Sequence, residues 1–403
     1  QDSWDASQVQ IVAEYHRRTM PEFLQATAIL RLIQCEQDRL EENYQDTMVM
    51  RDRDTPRDTN ILVIGRYDNP LNDEKLFPDT LASVAPMPAD TPKNRLGLAN
   101  WIVSTENPLT SRVTVNRFWQ QFFGTGLVKT TEDFGSQGEL PSHPDLLDWL
   151  AVDFQENNWD IKRLVYQFVT SATYRQSSAI IPELQEVDPY NRLLARAPRF
   201  RLAAHTIRDN ALAVSGLLVE KLGGPSVKPY QPPGLWADFS FGKIKYQQDS
   251  GDALYRRSLY TFWRRSLSPP NMFDEANRQT CEVRTKRTNT PLHALTLLND
   301  KTFIEAARFF AQKLILESKE DRQRFINAFE QALARPPTEE EIGLMRDIVA
   351  ITTKHYQENP EEADELLSVG DKKSDESIEV IELAAYTNLA NMIFNTDEFI
   401  TKE

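Results

Sequence analysis

Apolar residues recur at helical spacing along most of the chain. Val9, Val12 and Ala13, then Phe23, Leu24, Ala28 and Leu32, predict two helices divided by Pro21, which cannot sit inside a helix. Between Arg51 and Pro92 the period lapses into a Pro- and Asp-rich connection with one short strand expected over Ile61–Ile64. "NRLGLANWIVS" predicts a short helix stopped at Asn107-Pro108, and "SRVTVNRFWQQFF" a second one ending at Gly124 and Gly126. Helices follow at about 144–157 and 160–174, and "FRLAAHTIRDNALAVSGLLVEKLGG" reads as one helix stopped by Gly223-Gly224-Pro225. Residues 225–253 are irregular and aromatic. In "LYRRSLYTFWRR", Leu254, Tyr255, Leu259, Phe262 and Trp263 share a helical face, yet a six-residue strand fits as well, and both stay open. A long helical pattern spans Thr290–Leu316, Thr338 with Glu341 three residues on predicts a capped helix start, 357–377 reads as a charged flexible link, and 378–395 as a last amphipathic helix. The expected class is mainly α: a multi-helix globular body with long irregular Pro/Asp-rich connections and at most a few short strands.

Composition narrows what such a body does. At 403 residues there is room for two or three domains, or one large α-rich body with a satellite. Hydrophobic residues make up 40% and charged ones 26%, and no apolar run approaches the ~18 residues of a membrane span. A net charge of −14 argues against a protein built to coat nucleic acid. The charge is uneven, with 14 acids and four bases from Glu339 to Glu382, but five arginines and no acid from Arg192 to Arg208. The central stretch is suited to face an anion and the C-terminal one is not. Two cysteines, Cys35 and Cys281, neither require nor exclude an oxidising compartment, and no haem-attachment, zinc-type or P-loop motif occurs. The N-terminus lacks the basic start and apolar run of a signal peptide, so export would require a leader already removed, or a longer parent chain.

The most suggestive chemistry lies in "TEDFGSQGELPSHPD". Asp133-Phe134-Gly135 matches the metal-binding tripeptide of protein kinases, but the glycine-rich loop, strand lysine and preceding H-R-D loop are missing, which excludes that enzyme. Ser142 as N-cap, Pro144 in the first turn and Asp145 closing a capping box explain most of "SHPD", and leave His143 unexplained. A histidine in the positive potential of a helix start favours neutral imidazole, which suits a general base or a ligand. His205 and His293 read as structural, and His16 and His355 as solvent-exposed. Arg256-Arg257 and Arg264-Arg265 bracket Tyr260, Phe262 and Trp263, with Arg284, Lys286 and Arg287 downstream. Guanidinium forks bind carboxylate or sulfate and aromatic faces stack on sugar rings, although internal ion pairing explains the same residues. Asn116-Arg117, Arg208-Asp209, and Asn299-Asp300 within "RTNTPLHALTLLND" are polar positions among apolar ones, to be read as a buried network or as a site.

From "RLGLANWIVSTENPLTSRVTVNRFWQQFFGTGLVKTTEDFGSQGELPSHPDLLDWLAVDFQENNWDIKRLVYQFVTSATYRQSS" through "DPYNRLLARAPRFRLAAHTIRDNALAVSGLL", "GGPSV", "YRRSLYTFWRRS", "FDEANRQTC", "RTNTPLHALTLLND" and "AYTNLANMIFNTDEF", the chain resembles the planctomycete PSD-type domain, a domain of unknown function. The resemblance runs from about Thr47 to Phe399 and departs from the family pattern at His205, His293 and Val165-Tyr166. It implies residues 1–46 as the helical end of a preceding companion domain, 47–356 as the main domain, 357–377 as a link, and 378–403 as a helix packing back. It also implies a periplasmic or extracellular home and a c-type cytochrome module or subunit as partner. Haem c would then be carried on that partner, with no cofactor in this chain.

Three functional readings follow. The leading one is a domain of a cytochrome-linked assembly that binds or processes anionic complex carbohydrate. Its pocket would use His143 and Asp133 as acid or base, with Asn116, Arg117, Arg256, Arg257, Arg284, Arg287 and Trp263 holding substrate. The others are a non-catalytic docking domain, and a glycan hydrolase with paired carboxylates such as Asp133 with Asp145 or Glu139.

Overall fold

The computed structural model describes residues 4–42, 47–55, 57–239, 241–243, 245–264, 267–269, 271–275, 280–284 and 286–402. It is mainly α-helical, with two pairs of short antiparallel strands among the described residues. The chain divides into two compact units, Gln1–Asp79 and Thr80–Glu403, so the first continues past residue 46 into the Pro/Asp-rich connection. In that first unit the helices Ala6–Thr19 and Pro21–Glu42 meet at Pro21, and Asp5 with Gln8 forms a capping box at the first of them. The strand expected over Ile61–Ile64 lies earlier, at Thr59–Leu62, with Val63–Gly65 forming a 3-10 turn, and it pairs with Pro70–Leu76 across an irregular register.

The second unit has two main apolar clusters. One joins the helices Pro108–Phe123, Pro144–Glu156 and Ile161–Thr170 around Val115, Trp119, Leu150, Phe154 and Phe168. Asn107 starts the first of these by accepting from the Leu109 amide, with Pro108 at the first helical position, and Gly124 at φ +80 ends it. The other is larger and centres on the helix Lys301–Glu317, whose Phe303, Phe310 and Leu314 are fully buried against Val380–Phe394 and its neighbours. Phe310 stacks on Phe394 at 5.8 Å. The strand Thr401–Lys402 pairs with Phe200–Arg201, fixing the chain where it passes from the first cluster to the second.

Three expected elements differ, each for a visible reason. The helix expected to run to Gly223 covers only Ala204–Val214, because Gly216 adopts φ +74 and the Leu217 and Leu218 amides turn back onto the Leu212 carbonyl. The Thr290–Leu316 pattern is two helices, Pro291–Asn299 and Lys301–Glu317; Asp300 is extended and its carboxylate accepts from the Thr302 amide, restarting the helix. The described part of "LYRRSLYTFWRR", 254–264, is neither a helix nor a regular strand, and its first half lies in two short 3-10 turns, Gly251–Tyr255 and Ser258–Tyr260.

The expected flexible link at 357–377 is also structured. It holds a helix, Pro360–Leu367, and then a loop anchored from inside. Glu305, 1% exposed, accepts from the amides of Asp371 and Lys372 at 2.9 Å each and from the hydroxyls of Tyr230 and Tyr255 at 2.9 Å. Arg308, one turn on, donates to the carbonyls of Val369 and Lys372 and to Ser374. A buried carboxylate and guanidinium on one helix thus fix both faces of the loop.

The capped helix start at Thr338 is present as expected, with Glu341 returning a bond to the Thr338 amide at 2.7 Å. Glu341 also pairs with Arg335, which bridges to Glu398, and this holds the Glu341 carboxyl at about 2. Its folded value lies below its unfolded one, so its stabilisation is present above pH ~4.5 and is lost as pH falls towards 2. Thermal unfolding measured over that window should show a steep acid limb that Glu341→Gln flattens; an unchanged limb would rule out this linkage.

Candidate functional site

The structure assigns local duties to most of the residues nominated from sequence. Asp133 accepts from the Gly135 amide at 2.7 Å, and its own amide donates to the Thr130 carbonyl, so "DFG" is a side-chain-closed turn. Ser142 is not the cap of the next helix. Its amide donates to the Leu127 carbonyl at 2.9 Å, and with Ser142 held there His143 takes the N-cap position without a side-chain bond to the helix and without a capping box. His143 Nδ1 faces Ser142 Oγ at 3.0 Å. Glu139 pairs with Lys129 at 3.2 Å, and Asp145 is exposed in the helix's first turn. These groups each have their own neighbours, and of them only Ser142 lines the arginine cleft described below.

Asn116, fully buried, bonds both the amide and the carbonyl of Val128, at 2.9 and 3.0 Å. That bidentate clip closes the loop after the Pro108–Phe123 helix, while Arg117 next to it is exposed. Arg256 is buried, stacks on Tyr260 at 3.7 Å and donates to the carbonyls of Lys221, Gly223 and Pro225, so it organises the turn behind it. Arg257 stands 3.8 Å from Asp209. Trp263 is half-buried beside exposed Arg264, and Arg265 lies outside the described residues, as does the centre of "FDEANRQTC". Cys35 and Cys281 are both free thiols.

Arg287, but not Arg284, lines a cleft whose other arginines lie outside the set expected from sequence. A cleft of about 370 Å³ is floored by Trp119 and Phe123 and walled by the 189–200 segment, and Arg192, Arg196, Arg199 and Arg287 all line it. Arg192 donates to the carbonyls of Gly126 and Leu127 at 2.9 and 3.0 Å. Arg196 donates to those of Asp188 and Pro189 at 3.3 and 3.0 Å. Arg287 lies over the Phe200 ring at 4.0 Å and makes one long bond, 3.4 Å, to the Gly124 carbonyl. Arg199 pairs with Asp397. Among the described residues none of Arg192, Arg196 and Arg287 has a carboxylate partner. The nearby Asp188 carboxylate is turned onto the Arg192 and Leu193 amides instead. Carbonyl dipoles orient these guanidiniums without cancelling their charge, so a cleft in a chain of net charge −14 is locally cationic.

The arginine-rich, acid-free run from Arg192 was the signal for this cleft. Its flat component was not visible in sequence. Tyr190, 84% exposed, stands at the lip, and Phe200 on its short strand supports Arg287 from below.

A second group of ionisable side chains lies at the start of the Ala204–Val214 helix. His205 Nδ1 is 2.5 Å from Glu275, and that bond holds the imidazole above its ordinary value. His293 stacks on Phe273 at 4.0 Å, and burial together with the adjacent Arg201 pulls its value down. Neither histidine lines the arginine cleft. Among the described residues no group of three or more His, Cys, Asp or Glu is arranged to hold a metal ion, and no helix is long and apolar enough to cross a membrane.

The family described as "Protein of unknown function (DUF1553)" matches residues 94–349, which hold Asn116, His143, the cleft arginines and most of the larger core. No curated protein and no solved structure matches the chain.

Proposed function

The chain belongs to the DUF1553 family, whose description carries no reaction, and from the cleft itself we propose that its second unit binds an anionic, sugar-like ligand through Arg192, Arg196, Arg199 and Arg287. The carrying observation is that three of these guanidiniums are oriented by carbonyls and left without a carboxylate. Planar forks match carboxylate or sulfate, and the exposed Tyr190 ring offers an apolar face for a pyranose. The reading is of binding, because neither His143 nor Asp133, the side chains proposed for proton transfer, is among the residues that line the cleft. The sequence resemblance supports a periplasmic or extracellular setting beside a c-type cytochrome partner, with haem c on that partner.

Calorimetric titration at low ionic strength tests this with a sulfated disaccharide, a uronate disaccharide and a neutral disaccharide. Both acidic sugars should bind and weaken as salt rises, and the neutral one should not bind. Arg287 is the informative position because beyond its stacking on Phe200 it makes a single long hydrogen bond, to the Gly124 carbonyl. Arg287→Ala should weaken acidic-sugar binding by ~10–100-fold, as expected for one lost charge-assisted contact. Equal affinity for neutral and acidic sugars, or an Arg287→Ala variant that binds as the parent does, would overturn the proposal.

A further inference from the structure

The cleft does not end at Arg287. Arg287 also lines a second cavity, of about 650 Å³, together with Arg284, Lys286, Glu132 and Glu282. The two cavities share Gly124 and Arg287. At Gly124 a side chain is excluded twice over. Its φ is +80, and a Cβ would stand 2.8 Å from Phe200 Cδ1 and 3.4 Å from Arg287 Nη1. A bare backbone at the junction therefore leaves Phe200 and Arg287 their places between the two spaces.

Charge continues through the junction as well. Arg284 and Lys286 are exposed, and neither has a carboxylate partner among the described residues. Against Arg284, Lys286 and Arg287 stand Glu132 and Glu282, so the second cavity is cationic by one charge, less strongly than the first. Either cavity alone falls in the size range of an ordinary small-ligand site, about 300–1,000 Å³. Joined at a shared cation, they form a track rather than a cup.

Building on the anion-binding reading, we propose that the ligand is an acidic polysaccharide chain, which runs from the Arg192–Arg199 cleft past Arg287 into the Arg284–Lys286 cavity. A repeating anion fits this layout because successive acidic groups meet successive cations, and once one unit is held, the next binds at high effective concentration. A nucleic acid is the less favoured polyanion. The chain as a whole carries −14, and among the described residues the track offers a single exposed ring, Tyr190, where single strands use successive stacking platforms.

Length dependence tests this. Uronate or sulfated oligosaccharides of two and of six to eight sugars would be titrated against the parent chain and an Arg284→Ala/Lys286→Ala double variant, with affinities corrected for the number of equivalent registers on the longer ligand. The longer ligand should bind the parent chain at least about tenfold more tightly than the disaccharide. The double variant should bind the disaccharide as the parent chain does and lose that gain. Equal corrected affinities, with the disaccharide still dependent on Arg287, would overturn the extended track and leave the cleft standing. Loss of disaccharide binding altogether would overturn the cleft reading itself, and with it the track. Tighter binding of a single-stranded oligonucleotide of matched charge would overturn the assignment to polysaccharide.

Discussion

Glu305→Ala is expected to lower folding stability by about 3–5 kcal/mol, the range found when one member of a buried ion pair is removed. The carboxylate is 1% exposed and receives two tyrosine hydroxyls and two backbone amides. Its charge also faces the Arg308 guanidinium at 3.6 Å, and Arg308 is itself 1% exposed. Without Glu305, four donors lose an acceptor, of which only the Asp371 amide keeps another, the Tyr230 hydroxyl, and the buried Arg308 cation loses its counter-charge while keeping its bonds to the loop. Burial and the neighbouring carboxylate raise the titration of Tyr230 and Tyr255, so both remain neutral donors across the accessible pH range.

Glu305→Gln keeps the shape but turns an amide N–H₂ towards donors, and most of the loss should remain. Tyr230→Phe removes one hydroxyl and should cost about 1 kcal/mol. Gly370→Ala reaches the same clamp from the loop, because its φ is +102 and a Cβ there would stand 2.3 Å from the Glu305 carboxyl carbon. Thermal and chemical unfolding would report these, with a fall in Tm on the order of 10 °C for Glu305→Ala. A shift below about 2 °C would mean that the 369–374 loop is held by other contacts.

How much of this was legible in the sequence depends on the range of the interaction. Local signals were read well. Thr338 with Glu341 forms the expected capping box, Pro21 divides the first two helices, and Gly124 ends the helix that begins at Pro108. Where two local signals compete, the pattern does not show which one wins. Gly216 stops the helix whose pattern continues to Gly223, and Ser142, the better cap by residue type, is held instead by Leu127 fifteen positions earlier. Tertiary bonding decides such contests, and a one-dimensional pattern carries no trace of it.

The candidate site divides in the same way. The cationic run from Arg192 to Arg208 is plain in the sequence, yet the sequence cannot tell a guanidinium that points into a cleft from one that is buried. Arg192, Arg196 and Arg199 line the cleft, whereas Arg208 is fully buried. His143 was conspicuous because capping rules did not need it, while the structure makes it the cap position itself. Arg287 was nominated for its charge, but what sets it apart is its place between two cavities, which depends on Gly124 and Phe200 from distant parts of the chain.

Arg208 carries the second large expected effect, and Arg208→Met isolates it because methionine keeps much of the length and apolar volume. The guanidinium is 0% exposed and donates to the carbonyls of Leu254 and Arg256 and to Ser258 Oγ, at 2.8 to 3.1 Å. Asp209 lies 3.6 Å away and itself accepts from the Ser258 amide and hydroxyl at 2.7 Å. One helix turn thereby fixes the two 3-10 turns of 251–260, whose residues from Leu254 onward fit helix and strand alike by pattern. Methionine would leave three acceptors without a donor and Asp209 without its nearest cation, a loss of about 3–5 kcal/mol. Arg208→Lys keeps the charge but cannot reach three acceptors with a planar fork, so it should recover only part of the loss. Hydrogen exchange distinguishes this local account from general destabilisation. Under native conditions the amides of 254–260 should lose protection in Arg208→Met before those of the Lys301–Glu317 helix do. Uniform loss across both would show that Arg208 supports the core as a whole and not this turn in particular.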